Sequence, residues 1–167
     1  MYSLNVPVPG EVKRLAAELR PRLMAFERIR ERHSLLVKRF ESADHRRLSK
    51  RVRRALAGAP AVEARIATIE SFDDPVRGPG PVVYLAVESP GLVGIHDRLV
   101  EHFDAVPGLE GSEYVPHVTL ARGGSAGAVE ALRDVDIDPI EWVVPELVVY
   151  DAVHRERVSR VSLPTSD

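Results

Sequence analysis

Tyr114-Val115-Pro116-His117-Val118-Thr119-Leu120-Ala121-Arg122 contains a β-branched, apolar run, and Val115 to Ala121 reads as a strand. Side chains alternate faces along a strand, so His117 and Thr119 share one face while Val118 and Leu120 take the other. An imidazole and a hydroxyl then stand side by side. The imidazole can transfer a proton near neutral pH, and the hydroxyl can donate a hydrogen bond to a phosphate oxygen. Simple alternation puts Arg122 on the opposite face from His117, so its part in this surface depends on twist or on where the strand ends.

Outward from this strand, the chain alternates between the two periods of regular structure. Tyr2, Leu4, Val6 and Val8 alternate with polar or small residues as in a half-buried strand, and Pro9-Gly10 ends it. Val12, Leu15, Ala16 and Leu19 follow at helical spacing, limited by Pro21. His33 to Phe40 reads as a second strand, and Asp44 caps a helix whose buried stripe is Leu48, Val52, Ala55 and Leu56. The strand Val62 to Phe72, an exposed connection over Asp73 to Pro81 and the strand Val82 to Val87 come next. Leu92, Ile95, Leu99 and Phe103 mark a helix, and a Pro107 to Gly111 loop leads back to the His117 strand. Ser125 to Arg133 is a short helix, while Trp142 to Val149 and Val158 to Leu163 are two closing strands joined near His154. Pro145 should set the first of these at an edge or a bulge. The order of elements predicts an α+β protein with largely antiparallel sheets.

Composition narrows the chemistry. The chain has 167 residues, 44% hydrophobic and 29% charged, which suits one soluble domain over 1–167. No apolar run reaches bilayer length and the opening residues do not read as a signal peptide, so a cytoplasmic location is expected. With no cysteine, disulfides, thiolate zinc sites and thiol nucleophiles are excluded. No His-x-x-x-His, His-Glu-x-x-His, Walker or dinucleotide-binding sequence occurs, so no metal and no cofactor are expected. A net charge of −2 gives no overall reason for tight binding to long nucleic acids, although basic residues crowd the first third. Those from Arg46 to Arg54 fit a solvated helix face.

Pro116-His-Val-Thr-Leu-Ala-Arg122 resembles the second signature of the 2H phosphoesterase superfamily, in particular the 2′-5′ RNA ligases or RNA 2′,3′-cyclic phosphodiesterases. The opening strand and helix, His33, the Trp142 to Tyr150 strand and the motif spacing are similar to that family's layout over nearly the whole chain. The resemblance implies two pseudo-symmetric lobes whose two antiparallel sheets face a central groove, with helices outside. It implies His33 and His117 as catalytic imidazoles, and Thr119 and Arg122 as phosphate ligands. It further implies metal-independent opening of 2′,3′-cyclic phosphate ends of RNA or nucleotides to 2′-phosphates, with 2′-5′ ligation as the reverse direction. In that scheme His117 is the base, His33 the acid, and the protein a monomer acting on RNA ends or small cyclic nucleotides.

The first signature departs from the family pattern. It reads His33-Ser34-Leu35, and Leu35 cannot donate a hydrogen bond where Thr or Ser is expected. Ser34 reaches the same face only if a bulge shifts the register. Arg39, of the same parity as His33, is the candidate replacement cation. The departure also supports a second expectation, a catalytically weakened module that binds RNA ends or cyclic nucleotides without turning them over.

Overall fold

The computed structural model describes residues 1–42 and 44–164. The described residues form β1 (Tyr2–Val6), α1 (Gly10–Leu19), β2 (Arg28–Ile29), β3 (Leu35–Phe40), α2 (His45–Ala55), β4 (Val62–Phe72) and β5 (Val82–Glu88). They continue with α3 (Pro90–Val100), β6 (His117–Arg122), α4 (Ala126–Arg133), β7 (Ile140–Val144), β8 (Glu146–Asp151) and β9 (Glu156–Ser162). Helix starts follow capping chemistry: the Asp44 carboxylate accepts from the Arg46 and Arg47 amides, Ser89 caps α3 ahead of Pro90, and Ser125 caps α4. Among the described residues no helix is long and apolar enough to cross a membrane.

Every strand pairing is antiparallel, and the strands fall into two halves, β7-β4-β5-β6 and β3-β1-β8-β9. The halves meet where Leu35 of β3 pairs with Val118 of β6, a single bridged pair that makes the hydrogen bonding continuous across one curled sheet. Thus the expected α+β fold with two facing antiparallel halves is present, and α2, α3 and α4 pack against β9, β4 with β3, and β4 respectively. One continuous core, from Leu4 and Val12 to Leu147 and Val161, joins the two halves.

Several boundaries differ from the expected ones. The second strand starts at Leu35 rather than His33, and the two-residue β2 was not anticipated. Trp142 to Val149 is two strands: β7 pairs with β4 in one half, and β8 with β1 in the other. Pro145 stands between them, where its missing N–H would otherwise interrupt a ladder. The chain changes halves there.

Because β6 leaves β3 after one pair, the free edge of β3 needs other partners. Side chains and a loop supply them. The Tyr114 hydroxyl donates to the Leu36 carbonyl at 2.7 Å, the His96 Nδ1–H donates to the Val37 carbonyl at 2.8 Å, and the Arg39 amide donates to Glu110 at 3.0 Å. Glu110 also accepts from the Val106 amide at 3.0 Å and from the fully buried Lys38 ammonium at 2.5 Å. Lys38 directs its other donors to the Asp104 and Arg39 carbonyls. Burial opposes ionisation of Glu110, but the bonds from Arg39, Lys38 and Val106 outweigh it and hold the carboxyl below its usual range. Removing one partner of such a buried pair strands the other charge. Glu110→Ala should therefore lower unfolding free energy by about 3–5 kcal/mol in urea titration; a loss under about 1 kcal/mol would show that the clamp does not hold the β3 edge.

Candidate active site

Two β-bulges decide which residues face the groove between the halves. In β3 the pairing to β1 jumps from Lys38 opposite Leu4 to Leu36 opposite Asn5, leaving Val37 as the extra residue. Leu35, Lys38 and Phe40 consequently turn into the core, while Leu36 and Arg39 share the face of Ser3 and Asn5. In β6 the pairing to β5 jumps from Thr119 opposite Tyr84 to Ala121 opposite Val83, leaving Leu120 as the extra residue. Arg122 then lies opposite Val82, on the same face as Thr119. The bulge resolves the parity conflict that simple alternation creates for Arg122.

The groove has a volume of about 400 Å³ and brings together His117, Thr119, Arg122 and Arg39, four of the five expected site residues. Ser34, Arg30, Arg77 and Tyr114 line it as well. His33 does not. It lines a larger neighbouring cavity, which shares Arg30, Ser34, Leu36 and Arg39 with the groove.

The separation of His33 from His117 has a register cause. β2 pairs Arg28 with Arg122 and Ile29 with Ala121, the Arg30 amide donates to the Leu120 carbonyl, and pairing resumes only at Leu35 with Val118. Five residues, 30–34, thus face two of β6, 119 and 120. The surplus must loop away, and it carries Arg32 and His33. Burial, followed by the charges of Arg30, Lys13 and Arg20, holds the His33 imidazole below its ordinary value. The first signature is also reframed at Leu35. Its side chain is fully buried, whereas Ser34 is exposed and reaches the groove, so the hydroxyl there belongs to Ser34.

His117 is held in one tautomer. Its Nδ1 lies 2.6 Å from the Val115 carbonyl, which can only accept, so Nδ1 carries the proton and Nε2 keeps a free lone pair. Phe72 and Tyr84 meet its ring edge-on at centroid distances of 5.1 and 5.2 Å. Burial lowers its pKa, the Val115 bond opposes that, and Arg39, Arg30 and Arg122 lower it further. The imidazole is accordingly neutral at neutral pH, as a general base requires. The arginines around it can neutralise an anion, and Thr119 and Ser34 can donate hydrogen bonds to it.

The connection 73–81 also proves to be part of the site. Asp74, Pro75, Val76 and Arg77 line the groove, and the Arg122 guanidinium donates to the Arg77 carbonyl at 2.7 Å. Gly78 has φ +75°, a conformation that L side chains rarely adopt, so glycine suits this turn, and a Cβ there would also displace the flexible end of Arg122. Composition identified the segment as a turn, but nothing local to it signalled that it folds over His117. The basic residues from Arg46 to Arg54 line neither cavity, in keeping with a solvated helix face. Among the described residues no group of three or more His, Asp or Glu is placed to hold a metal ion.

Similarity to known proteins agrees with this fold. The sequence pattern of the 2′-5′ RNA ligase superfamily matches residues 9–156. The protein TT0787 of Thermus thermophilus superposes with a TM-score of 0.66 at 16% identity, covering 99% of both chains. LigT of E. coli complexed with 3′-AMP superposes with a TM-score of 0.62 at 14% identity, covering 97% of both. The same protein complexed with ATP gives 0.60 at 15%, covering 98% of this chain and 97% of that one. These structural likenesses show a shared fold. A comparison with curated protein sequences finds no match.

The reframed first signature makes its two candidate positions separable by mutation. If the groove turns over a phosphodiester, Ser34→Ala should reduce that turnover by roughly 10- to 100-fold, while Leu35→Thr should leave it unraised and destabilise the fold by about 2–4 kcal/mol; a faster Leu35→Thr variant would restore the original frame. Because burial, and after it the neighbouring cations, depress His117, the acid limb of kcat/KM should fall below the ordinary imidazole value of 6.5. Arg39→Ala should raise that midpoint, since losing a positive neighbour favours the imidazolium; an unmoved midpoint would separate the two residues. With the family pattern spanning most of its length, the chain belongs to the 2′-5′ RNA ligase superfamily of 2H phosphoesterases.

Proposed function

We propose that the protein is a metal-independent phosphodiesterase that opens 2′,3′-cyclic phosphate ends of RNA or nucleotides to 2′-phosphates, one domain whose two lobes hold the phosphate between them. The observation that carries this reading is the free Nε2 of His117, fixed by the Val115 carbonyl, with Thr119 beside it and Arg30, Arg39 and Arg122 near enough to depress its pKa. Complexes of the E. coli relative with 3′-AMP and ATP support a nucleotide ligand for a groove of this size.

In the proposed reaction His117 Nε2 takes a proton from water as the oxygen attacks phosphorus. The phosphorus–O3′ bond breaks, and the phosphate stays on O2′. Thr119 and Ser34 donate to non-bridging oxygens, and Arg39 and Arg122 balance their charge. The departing O3′ needs a proton, and the two-histidine scheme assigns it to His33. Ligation runs the same steps backwards with the proton roles exchanged.

One observation favours a second reading. His33 lines the adjoining cavity rather than the His117 groove, so a site with a base but no opposed acid suits binding without turnover. Hydrolysis of 2′,3′-cyclic AMP in EDTA separates the two. The phosphodiesterase reading expects turnover that falls by roughly 10²- to 10⁴-fold in His117→Ala, and a comparable fall in His33→Ala if that residue is the acid. Full activity in His33→Ala removes it from the reaction, and binding without hydrolysis by the wild-type protein establishes the binding module.

A further inference from the structure

The larger cavity, about 930 Å³, adjoins the His117 groove through Arg30, Ser34, Leu36 and Arg39. Five more basic residues line it, Lys13, Arg20, Arg32, Arg155 and Arg157, against one acidic residue, Glu31. This excess of cations stands in a chain whose net charge is −2. The reaction at His117 has no use for it.

Strand register shows how these cations are laid out. Arg157 pairs with Tyr150, Tyr150 with Ser3, and Ser3 with Arg39, so the four side chains form one row across β9, β8, β1 and β3. Three strand intervals separate its ends, about 14 Å. At one end is Arg39, shared with the groove; at the other is Arg157, with an aromatic ring and a hydroxyl between. Cations at the ends of a row with an aromatic ring between them suit a single-stranded nucleic acid, whose phosphates meet arginine and whose bases stack on the ring.

We propose that this cavity holds the nucleotides that precede the reacting end, so that the preferred ligand is a single-stranded oligonucleotide and Tyr150 and Arg157 set that preference. The proposal rests on the phosphodiesterase reading of the His117 groove. It assigns the row Arg39, Ser3, Tyr150 and Arg157 to the phosphate backbone and a base upstream of the cyclic phosphate.

The test compares 2′,3′-cyclic AMP with an oligoadenylate carrying the same cyclic end, using the wild-type protein and the Tyr150→Ala/Arg157→Ala double variant. The wild type should prefer the oligonucleotide in kcat/KM, and the double variant should lose roughly tenfold or more on it while the mononucleotide rate holds. The log–log salt dependence of the oligonucleotide KM should also become shallower by about 0.7, the slope expected when one arginine no longer neutralises a single-strand phosphate. Equal treatment of both substrates by the wild type, or equal losses on both in the variant, overturns the proposal and leaves the phosphodiesterase reading intact. If neither substrate is hydrolysed, that reading fails on its own, and fluorescence anisotropy with labelled oligoadenylate decides the cavity: weaker binding by the variant upholds it, and unchanged binding overturns it.

Discussion

The structure depends on how β3 is satisfied where β6 leaves it. A groove between two sheet halves exists only if their strands part, and parting exposes backbone groups that must find partners. Here the parting comes immediately after Leu35 and Val118, and the loop between α3 and β6, together with α3 itself, closes the gap through Tyr114, Glu110 and His96. A neutral His96 suits this place, since it donates from Nδ1 to Val37 and accepts at Nε2 from the Gly111 amide. The buried Lys38–Glu110 pair belongs to the same device. A pair of this kind adds little net stability compared with apolar packing, but here its carboxylate also serves the Arg39 and Val106 amides.

The same segment then aims the site. The extra residue Val37 turns Lys38 inward to Glu110 and brings Arg39 onto the groove face; the extra residue Leu120 does the equivalent for Arg122. Each half thus contributes a hydroxyl followed by a bulge and an arginine: Ser34 and Arg39 from one, Thr119 and Arg122 from the other. Bulges in these positions convert strands that would alternate strictly into strands that present both a hydrogen-bond donor and a cation to the groove. The consequence falls on the first half, where the unequal register against β6 ejects Arg32 and His33 into the neighbouring cavity.

Much of this was legible in the sequence because it is written in local periodicity. Alternation around His117, the Asp44 cap and the helical stripes of α2 and α3 each rest on neighbours a few positions apart, and the structure keeps them. What periodicity could not show was register. Arg122 and Leu35 were misplaced by strict alternation because a bulge is visible only against the partner strand. The cut at Pro145 was half visible: proline marked an irregularity, but the change from β4 to β1 as partner is a long-range fact. Ser34 stood inside the first signature as a residue that only a shifted register could bring to the site, while Arg30 and Arg77 carried no motif at all; tertiary pairing brings all three to the groove of His117.

If the parted β3 and β6 strands build one phosphate site around His117, with Ser34 and Thr119 as its hydroxyls, a crystal structure of the protein with 2′-AMP should show it. The phosphate should lie within hydrogen-bond reach of Thr119 and Ser34, flanked by Arg39 and Arg122, and facing His117 Nε2. A phosphate seated instead against His33 in the larger cavity, away from Thr119, would contradict it.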